Sequence, residues 1–396
     1  MKSNTSTKKV FFAVMIFIIF YFYSGPLEYL GLPNRAETFI SYFILIVAIF
    51  LSNTNIMFRF SLIRFLFLIY LLLKLISYFL LYNGILQPIV SFSQFFLLLI
   101  LLQLSENDKI IRDLPIRKIL YYSLLHLFFV SIIQYFQIEP LNNIFSNYGN
   151  NPQSGRLIND VFIKRVNGGI GGTVIDFSCL IILLNYINMF LDKKKLLSMF
   201  NFLILFILFL FSFSRITVLS YFFILLSYTV LFTKKSNDTK KIVLILILLL
   251  LFMSFFVYLL NNELQLTSIN LFNLEEETSR INMWLKAMKA DSILIGSDLG
   301  KNTGLPVNSG KIVTDGLFFG IFYDMGLIGL ILYIFMIFEP LIKIKSKMKN
   351  NEGIVIYLLI FNLIIINIIN SSFGYHLNIL FYFILIVVLR KSTLIE

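Results

Sequence analysis

Long apolar segments follow one another along the whole chain, separated mostly by short polar stretches. A helix crosses the hydrocarbon core of a bilayer with about 20 apolar residues. Within that core only helices and closed barrels satisfy every backbone group, and these segments are too long for barrel strands. We therefore predict an all-α integral membrane protein, a polytopic bundle of about 12 transmembrane helices with residues 1–396 as a single membrane domain. The predicted spans are about 10–30, 37–53, 60–82, 85–104, 118–138, 172–191, 196–212, 215–233, 242–261, 316–338, 354–370 and 374–390.

The composition excludes a water-soluble globule, because 58% of the residues are hydrophobic and only 14% are charged. The net charge of +12 is unevenly distributed, since the stretches "DKKK", "KKSNDTKK" and "KIKSKMK" fall on one side of the predicted spans. Cytoplasmic loops are enriched in Lys and Arg, so we expect that side, with both termini, to be cytoplasmic. The basic excess then reflects topology and not nucleic-acid binding. The first apolar run has no convincing cleavage site and is interpreted as a retained span.

Few residues offer metal or redox chemistry. Cys179 is the only cysteine, which excludes an internal disulfide, and the two histidines, His126 and His376, are too few and too far apart in sequence for a zinc site. The sequence contains no GxxxxGK[ST] nucleotide-binding loop. We predict neither a metal nor a cofactor.

Two predicted extracytoplasmic loops are long, residues 138–171 and residues 262–315. Long loops are usually functional or disordered. The first is rich in Asn and Gly and carries Arg156. In the second, four residues at helical spacing predict an amphipathic helix on the membrane surface: Ile281, Trp284, Leu285 and Met288.

Arginines on the predicted outer side run against the usual distribution of positive charge. Arg165, Arg215 and Arg280 are each close to a predicted membrane boundary. One interpretation is that each anchors a helix end to lipid phosphate. The other is that they share one vestibule and bind a diphosphate, because guanidinium groups form bidentate bonds with phosphate oxygens.

Several residues beside these arginines remain ambiguous from the sequence. The stretch "GGIGG", which begins at Gly168, either presents backbone N–H groups to an anion or forms a flexible turn. Asp176 either faces the vestibule or is an acid favoured at a helix start. Lys74 and His126 fall within spans, where Lys74 snorkels or pairs and His126 belongs more naturally to the bundle.

The stretch "DGLFFGIFYDMGLIGL" places two acids at a predicted span. Asp315 lies at its outer boundary and is interpreted either as a substrate-facing carboxylate or as a helix cap. Asp324 lies within the span and is predicted to be buried with a partner, since a buried charge is costly. Gly326 and Gly329 predict close packing of a neighbouring helix.

The order of these parts resembles the bacterial O-antigen polymerase and O-antigen ligase superfamily. The similarity rests on an R-x-x-G before a span, an SR that opens a later span, an SRxxxW in a long outer loop, and an acid followed by G-x-x-G. The corresponding positions are Arg165 and Gly168; Ser214 and Arg215; Ser279, Arg280 and Trp284; and Asp315, Phe319, Gly326 and Gly329. Ligases of this superfamily typically have a histidine where this chain has Asp315, so the aspartate resembles the polymerase branch. The next position is usually Asn or Ser, whereas this chain has Gly316.

The resemblance implies a metal-independent glycosyltransferase of the bacterial cytoplasmic (inner) membrane. It would join undecaprenyl-diphosphate-linked oligosaccharide repeat units into O-antigen or capsular or exopolysaccharide at the outer face, with a chain-length regulator and a flippase of the same pathway as partners. The alternatives are a ligase-type glycan transferase and a lipid-linked oligosaccharide flippase.

The resemblance and the positions of the charged residues together suggest roles for individual residues. Asp315 is the expected catalytic base, with His376 as the second candidate, and Arg165, Arg215 and Arg280 are expected to bind the substrate diphosphate. Four further residues are candidate substrate contacts: Arg156, Gly168, Asp176 and Trp284.

Overall fold

The structure is a computed structural model that describes most but not all of the chain. The described residues are 5–31, 43, 61–81, 86–146, 156–158, 161–163, 166–170, 174–191, 195–212, 215–232, 285, 292–297, 299, 316–369 and 376–395. Within them the chain is helical apart from turns and one short hairpin. The predicted spans 37–53 and 242–261 lie outside the described residues, except for Phe43.

The first half of the chain contains seven described helices, which are α1 (Thr5–Phe22), α2 (Ser24–Tyr29), α3 (Leu62–Leu81), α4 (Leu86–Leu104), α5 (Asp108–Asp113), α6 (Ile116–Phe136) and α7 (Leu141–Ser146). Strands β1 (Arg156–Ile158) and β2 (Val161–Ile163) then form an antiparallel hairpin in which Arg156 is opposite Ile163. The remaining described helices are α8 (Val174–Leu191), α9 (Lys195–Ser212), α10 (Arg215–Phe232), α11 (Leu317–Lys345), α12 (Asn350–Ile369) and α13 (His376–Ile395).

The described helices confirm a polytopic membrane-type bundle. By length and composition α3, α6, α11, α12 and α13 are long and apolar enough to cross a membrane, and α4, α8, α9 and α10 contain shorter apolar stretches. Helices α1, α3, α4, α6 and α8 to α13 lie on predicted spans. Predicted span 10–30 is longer than its helix, because α1 ends at Phe22 and the short helix α2 follows after Tyr23.

Helices α8 and α13 form the centre of the bundle. Every residue from Phe177 to Phe190 and from His376 to Leu389 is buried, and the two helices pack against each other. By contrast, α3 lies at the periphery, where side chains such as Leu73 and Leu80 are exposed. An apolar side chain exposed on such a helix is stable when lipid covers it.

One end of the bundle is held by ion pairs, and we call it the charge-paired end. Arg64 of α3 is fully buried, with its Nη1 2.9 Å from Glu106 Oε1 and its Nε 3.5 Å from Glu339 Oε2. Lys343 also pairs with Glu339, at 2.5 Å. Helix α11 continues to Lys345, beyond the predicted boundary at 338, because a helix can outlast its apolar stretch and basic residues are favoured in its last turn.

The last helix also ends at the charge-paired end. Arg390 of α13 donates to the carbonyl of Ser105 at 2.6 Å, and Lys391 donates to the carbonyl of Arg112 at 2.9 Å. Helix α1 runs from α5 towards the start of α13, since it packs against α5 and its Tyr21 ring is 6.2 Å from His376. The first and last described helices therefore begin and finish at the same end, as the predicted topology requires.

Helix α11 is interrupted at Gly326, which has φ 66° and ψ −170°. A Cβ at Gly326 would collide with the backbone of Leu294 and Gly296, so a non-helical segment, and not the expected neighbouring helix, takes up the space beside it. Gly329 matches the expectation better, because a Cβ there would lie 3.1 Å from the ring of Tyr70 on α3. Asp324 is fully buried, as predicted.

Candidate functional site

The site residues named from the sequence divide into three groups. Arg165, Arg280, Trp284 and Asp315 lie outside the described residues. Arg156 in β1 and Arg215 at the start of α10 are described in their backbone only. The remaining three, Gly168, Asp176 and His376, are described in full, and the geometry of the site is built from them.

Asp176 and His376 lie at the same end of the two central helices. Asp176 is the third residue of α8, and His376 is the first residue of α13. Two residues after His376, Asn378 donates from its amide Nδ2 to the backbone carbonyl of Asp176 at 3.3 Å. His376 is 7% exposed and Asp176 is half-buried. The centre of the bundle thus presents a carboxylate and an imidazole at one end, opposite the charge-paired end.

Gly168 is packed against the start of α8. Its backbone has φ 64°, and a Cβ there would lie 2.6 Å from the ring of Phe177, the residue after Asp176. A side chain at this position would displace α8 or the turn, which explains why glycine is required.

The backbone N–H groups of the glycine turn donate to neighbouring amide side chains. The N–H of Gly168 donates to Gln134 Oε1 at 3.0 Å, and that of Gly169 donates to Asn167 Oδ1 at 3.1 Å. Gln134 of α6 also donates to Asn167 Oδ1 at 2.8 Å. In this arrangement the two N–H groups hold the turn to α6 and are not presented to an anion.

The first residue of α10 lies beside this turn. The carbonyl of Phe211, near the end of α9, accepts from the N–H of Val166 at 3.3 Å. The Phe211 ring also stacks on Tyr135 of α6, with centroids 4.6 Å apart. Only two residues separate the end of α9 from Arg215. The backbone of Arg215 is therefore close to the Gly168 turn.

Gly316, the residue that follows Asp315, lies at the same end of the bundle. It precedes the first residue of α11, and a Cβ on it would collide with the carbonyl oxygen of Ile368 near the end of α12. This contact gives a physical reason for glycine at position 316, since any side chain there would displace α12 or the start of α11. Asp315 itself lies outside the described residues, but its neighbour Gly316 is fixed next to the end of α12.

The residues that build this end were not singled out from the sequence. Gln134, Asn167 and Asn378 supply the hydrogen bonds that join α6, the glycine turn and the two central helices. We call this set, with Gly168, the amide-lined end. The available signal was a polar residue at the boundary of an apolar span, which is costly in lipid unless it is paired.

His126 packs among aromatic rings inside the bundle, with its Nε2 buried and without a hydrogen-bond partner in the part of the chain that the structure describes. Its ring stacks on Phe22 with centroids 4.4 Å apart and is 5.0 Å from Tyr23. Among the described residues no group of three or more His, Cys, Asp or Glu side chains is arranged to hold a metal ion.

Comparison of the sequence with protein-family models gives no match, and comparison with curated proteins gives none either. Functional proposals for this chain therefore rest on its own residues, on their geometry and on the resemblance of its motifs.

Proposed function

We propose that the protein is a polysaccharide polymerase that joins oligosaccharide units carried on undecaprenyl diphosphate. The observation that carries the proposal is the gathering of Gly168, Asp176, His376, Gly316 and the first residue of α10 at one end of the bundle. These positions are distant in sequence. Gly168, Gly316 and the first residue of α10 belong to or adjoin segments that resemble motifs of the O-antigen polymerase and ligase superfamily, and Asp176 and His376 add a carboxylate and an imidazole beside them. Such an end lies at the depth of lipid headgroups, where the diphosphate of a lipid-linked substrate is found.

The reaction is a glycosyl transfer. The bond breaks between the diphosphate oxygen and C1 of the sugar that links the growing chain to its lipid. A new bond forms between that C1 and a hydroxyl oxygen of the next lipid-linked unit. Asp315 takes the hydroxyl proton, with His376 as the second candidate. The bonding electron pair leaves with the diphosphate.

Arginine stabilises the leaving group in this proposal. Arg165, Arg215 and Arg280 pair with the diphosphate oxygens and offset the charge that develops in the transition state, which makes the reaction independent of a metal. Arg156, Gly168, Asp176 and Trp284 contact or shape the substrate around them. Transfer of the glycan from its activated diphosphate linkage to a hydroxyl is favourable in free energy, so no nucleotide is required.

Reconstitution tests the proposal directly. The purified protein in liposomes is supplied with a lipid-diphosphate-linked oligosaccharide in the presence of a chelator. We expect glycans of two, three and more units, with one lipid diphosphate released for each bond formed. Transfer to a lipid A core or to protein, with no extended lipid-linked glycan, would instead identify a ligase.

A flippase is the second candidate, and one observation favours it. Transporters often contain broken helices and buried ionisable residues near the membrane midplane, and α11 is broken at Gly326 next to buried Asp324. Transporter folds of that kind contain a matching break in the other half, and the interruption at Tyr23 between α1 and α2 is the position in the first half to compare with it. Movement of lipid-linked oligosaccharide across the liposome membrane without chain extension would favour the flippase.

The orientation in the membrane belongs to the same proposal. We propose that the protein lies in the bacterial cytoplasmic membrane with its termini and the charge-paired end inside, and with residues 262–315 outside. An impermeant thiol reagent applied to intact cells is expected to label Ser309→Cys. Labelling only after the membrane is opened would invert the topology and remove the mechanism with it.

A further inference from the structure

Residues 292–297 fill the break in α11. The N–H groups of Leu327 and Ile328 donate to the carbonyls of Ile293 at 2.9 Å and Leu294 at 3.2 Å. In the other direction, the N–H of Ser297 donates to the carbonyl of Tyr323 at 2.7 Å. The segment therefore takes the place of the helical hydrogen bonds that α11 loses at Gly326. We call residues 292–297 the wedge.

The wedge lies near the middle of the membrane. Tyr70, which contacts it, is eight residues from the start of α3 at the charge-paired end, about 12 Å along the helix. Met325 is eight residues from the start of α11 at the opposite end, again about 12 Å. If the two helices start at the two faces of a hydrocarbon core about 30 Å thick, each of these residues lies within about 3 Å of its middle. The long loop 262–315, predicted to be extracytoplasmic, thus dips deeply into the bundle at this point.

The side chains of the wedge fit this depth. Ile293, Leu294 and Ile295 are 63%, 60% and 51% exposed. Three consecutive exposed apolar side chains would be unfavourable in water but are stable in lipid. Irregular backbone at this depth must find hydrogen-bond partners within the protein. The backbone of the wedge meets this requirement through its hydrogen bonds to α11.

Two side chains of α3 fasten the wedge. The hydroxyl of Tyr70 donates to the carbonyl of Met325 at 2.6 Å and lies 3.2 Å from the carbonyl of Ile295, so it bridges the two sides of the break. The ammonium group of Lys74 donates to the carbonyl of Ser297 at 2.6 Å and is buried. A buried lysine in a membrane helix is costly, so it is retained where it has a defined task.

We infer that Tyr70 and Lys74 are positioning residues that fasten the wedge and thereby fix the point from which the chain continues towards Asp315. The chain between the wedge and Gly316 is bounded at one end by Ser297, joined to Tyr323, and at the other by Gly316, fixed against Ile368. If the wedge detaches from α3 and α11, the boundary at Ser297 is no longer fixed and only the one at Gly316 remains. This inference rests on the proposed function only in the role that it gives to Asp315.

The first experiment measures the wedge without any assay of function. The parent protein carries Cys179→Ala, which removes the buried native thiol, and Leu294→Cys as reporter. A water-soluble maleimide is applied to opened membrane fragments, so that sidedness has no influence. Tyr29→Cys, at a residue 62% exposed on α2, provides a labelled reference, and Ile331→Cys on the lipid-facing side of α11 provides a protected one.

We expect slow labelling of Leu294→Cys in the parent and a roughly tenfold increase when Tyr70→Phe and Lys74→Met are added, as the loss of buried hydrogen bonds predicts. Lys74→Arg retains a charged donor. In a protein that keeps Tyr70, it should leave Leu294→Cys about as protected from the maleimide as in the parent. Lys347→Met and Tyr357→Phe, both at exposed residues distant from the wedge, are the matched controls. Equal labelling in the parent and in the double variant would overturn the fastening role.

The second experiment measures glycan extension in the same variants without the reporter cysteine. We expect Tyr70→Phe with Lys74→Met to lower the rate of chain extension roughly tenfold, with substantial recovery in Lys74→Arg. Faster labelling with unchanged extension would overturn the positioning role. A parent that extends no glycan at all would overturn the proposed function, while the labelling result would still decide whether Tyr70 and Lys74 fasten the wedge.

Discussion

The two ends of the bundle are stabilised by different chemistry. At the charge-paired end, Arg64 is in contact with Glu106 and Glu339, so charged groups satisfy one another. At the amide-lined end, the contacts that join the helices are made by neutral groups such as Gln134 and Asn378. The charge-paired end is therefore a structural joint, in which ion pairs fasten helices to one another. The amide-lined end is built with neutral groups around the positions where charged substrate chemistry is proposed.

The largest effect is expected from Arg64→Ala. Removing one partner of a buried ion pair leaves Glu339, with a side chain only 10% exposed, without its buried counter-charge. Such changes typically cost about 3–5 kcal/mol of unfolding free energy. The measurement is the thermal unfolding of the purified protein in detergent, together with the amount of protein in the membrane.

Lys343→Gln is the matched control for Arg64→Ala. It removes a charge from the same cluster, but the Lys343 side chain is 60% exposed. Exposed pairs contribute at most about 1 kcal/mol. Equal destabilisation by the two variants would show that burial of Arg64 is not what makes the charge-paired end a joint.

Asp315→Asn is expected to have the next largest effect, and on activity alone. Asn retains the shape and the helix-capping ability but not the proton affinity of the carboxylate. A general base contributes on the order of a hundredfold to rate, so glycan extension should fall by that factor while thermal unfolding stays unchanged. A normal glycan ladder would exclude Asp315 as the base, and His376→Ala would then be the variant to measure.

Arg215→Ala and Arg280→Ala test whether these two arginines, unlike the structural Arg64, act on the substrate. If these residues bind the diphosphate, each alanine variant should lower extension by roughly tenfold to a hundredfold, the size of a lost charge-assisted hydrogen bond. Lysine at either position should restore activity only in part, since it keeps the charge but loses the bidentate geometry. Wild-type glycan length in an alanine variant would identify that arginine as a lipid anchor.

Gly168→Ala is expected to have the smallest effect. Alanine in the left-handed region costs roughly 1–2 kcal/mol, and its Cβ would press on Phe177 beside Asp176. Gly353→Ala on α12 is the matched control, because its Cβ would meet only the flexible Lys345 side chain at 3.6 Å. The midpoint temperature of thermal unfolding should be lower for Gly168→Ala than for the wild type. For Gly353→Ala it should be unchanged or higher. The opposite order would remove the packing argument for the glycine turn.

The helical bundle was predictable from the sequence because membrane spans are local features. Segments such as 85–104 and 196–212 coincide closely with α4 and α9, since the length of an apolar run and its charged borders suffice to locate them. The ends of α1 and α11 were less accurate. Hydropathy locates the edge of the lipid, whereas the helix itself ends where its hydrogen bonds end.

The break in α11 and the contacts of Tyr70 and Lys74 were not predictable in this way. The apolar pattern continues through Gly326, and the partner of the break is a segment about thirty residues earlier in the chain. Likewise, the contact of Gly316 with Ile368 depends on a helix that follows it. The amides that join α6, the glycine turn and the two central helices at the amide-lined end were not predictable either, because those contacts are made between distant elements.

The burial of α13 has a consequence for biogenesis. This helix is enclosed by the others along most of its length, yet the ribosome makes it after every helix that surrounds it. The centre of the bundle is therefore completed last, when α13 packs against α8, which was made earlier. Until then the carbonyl of Asp176 lacks the amide of Asn378 that bonds to it in the finished bundle.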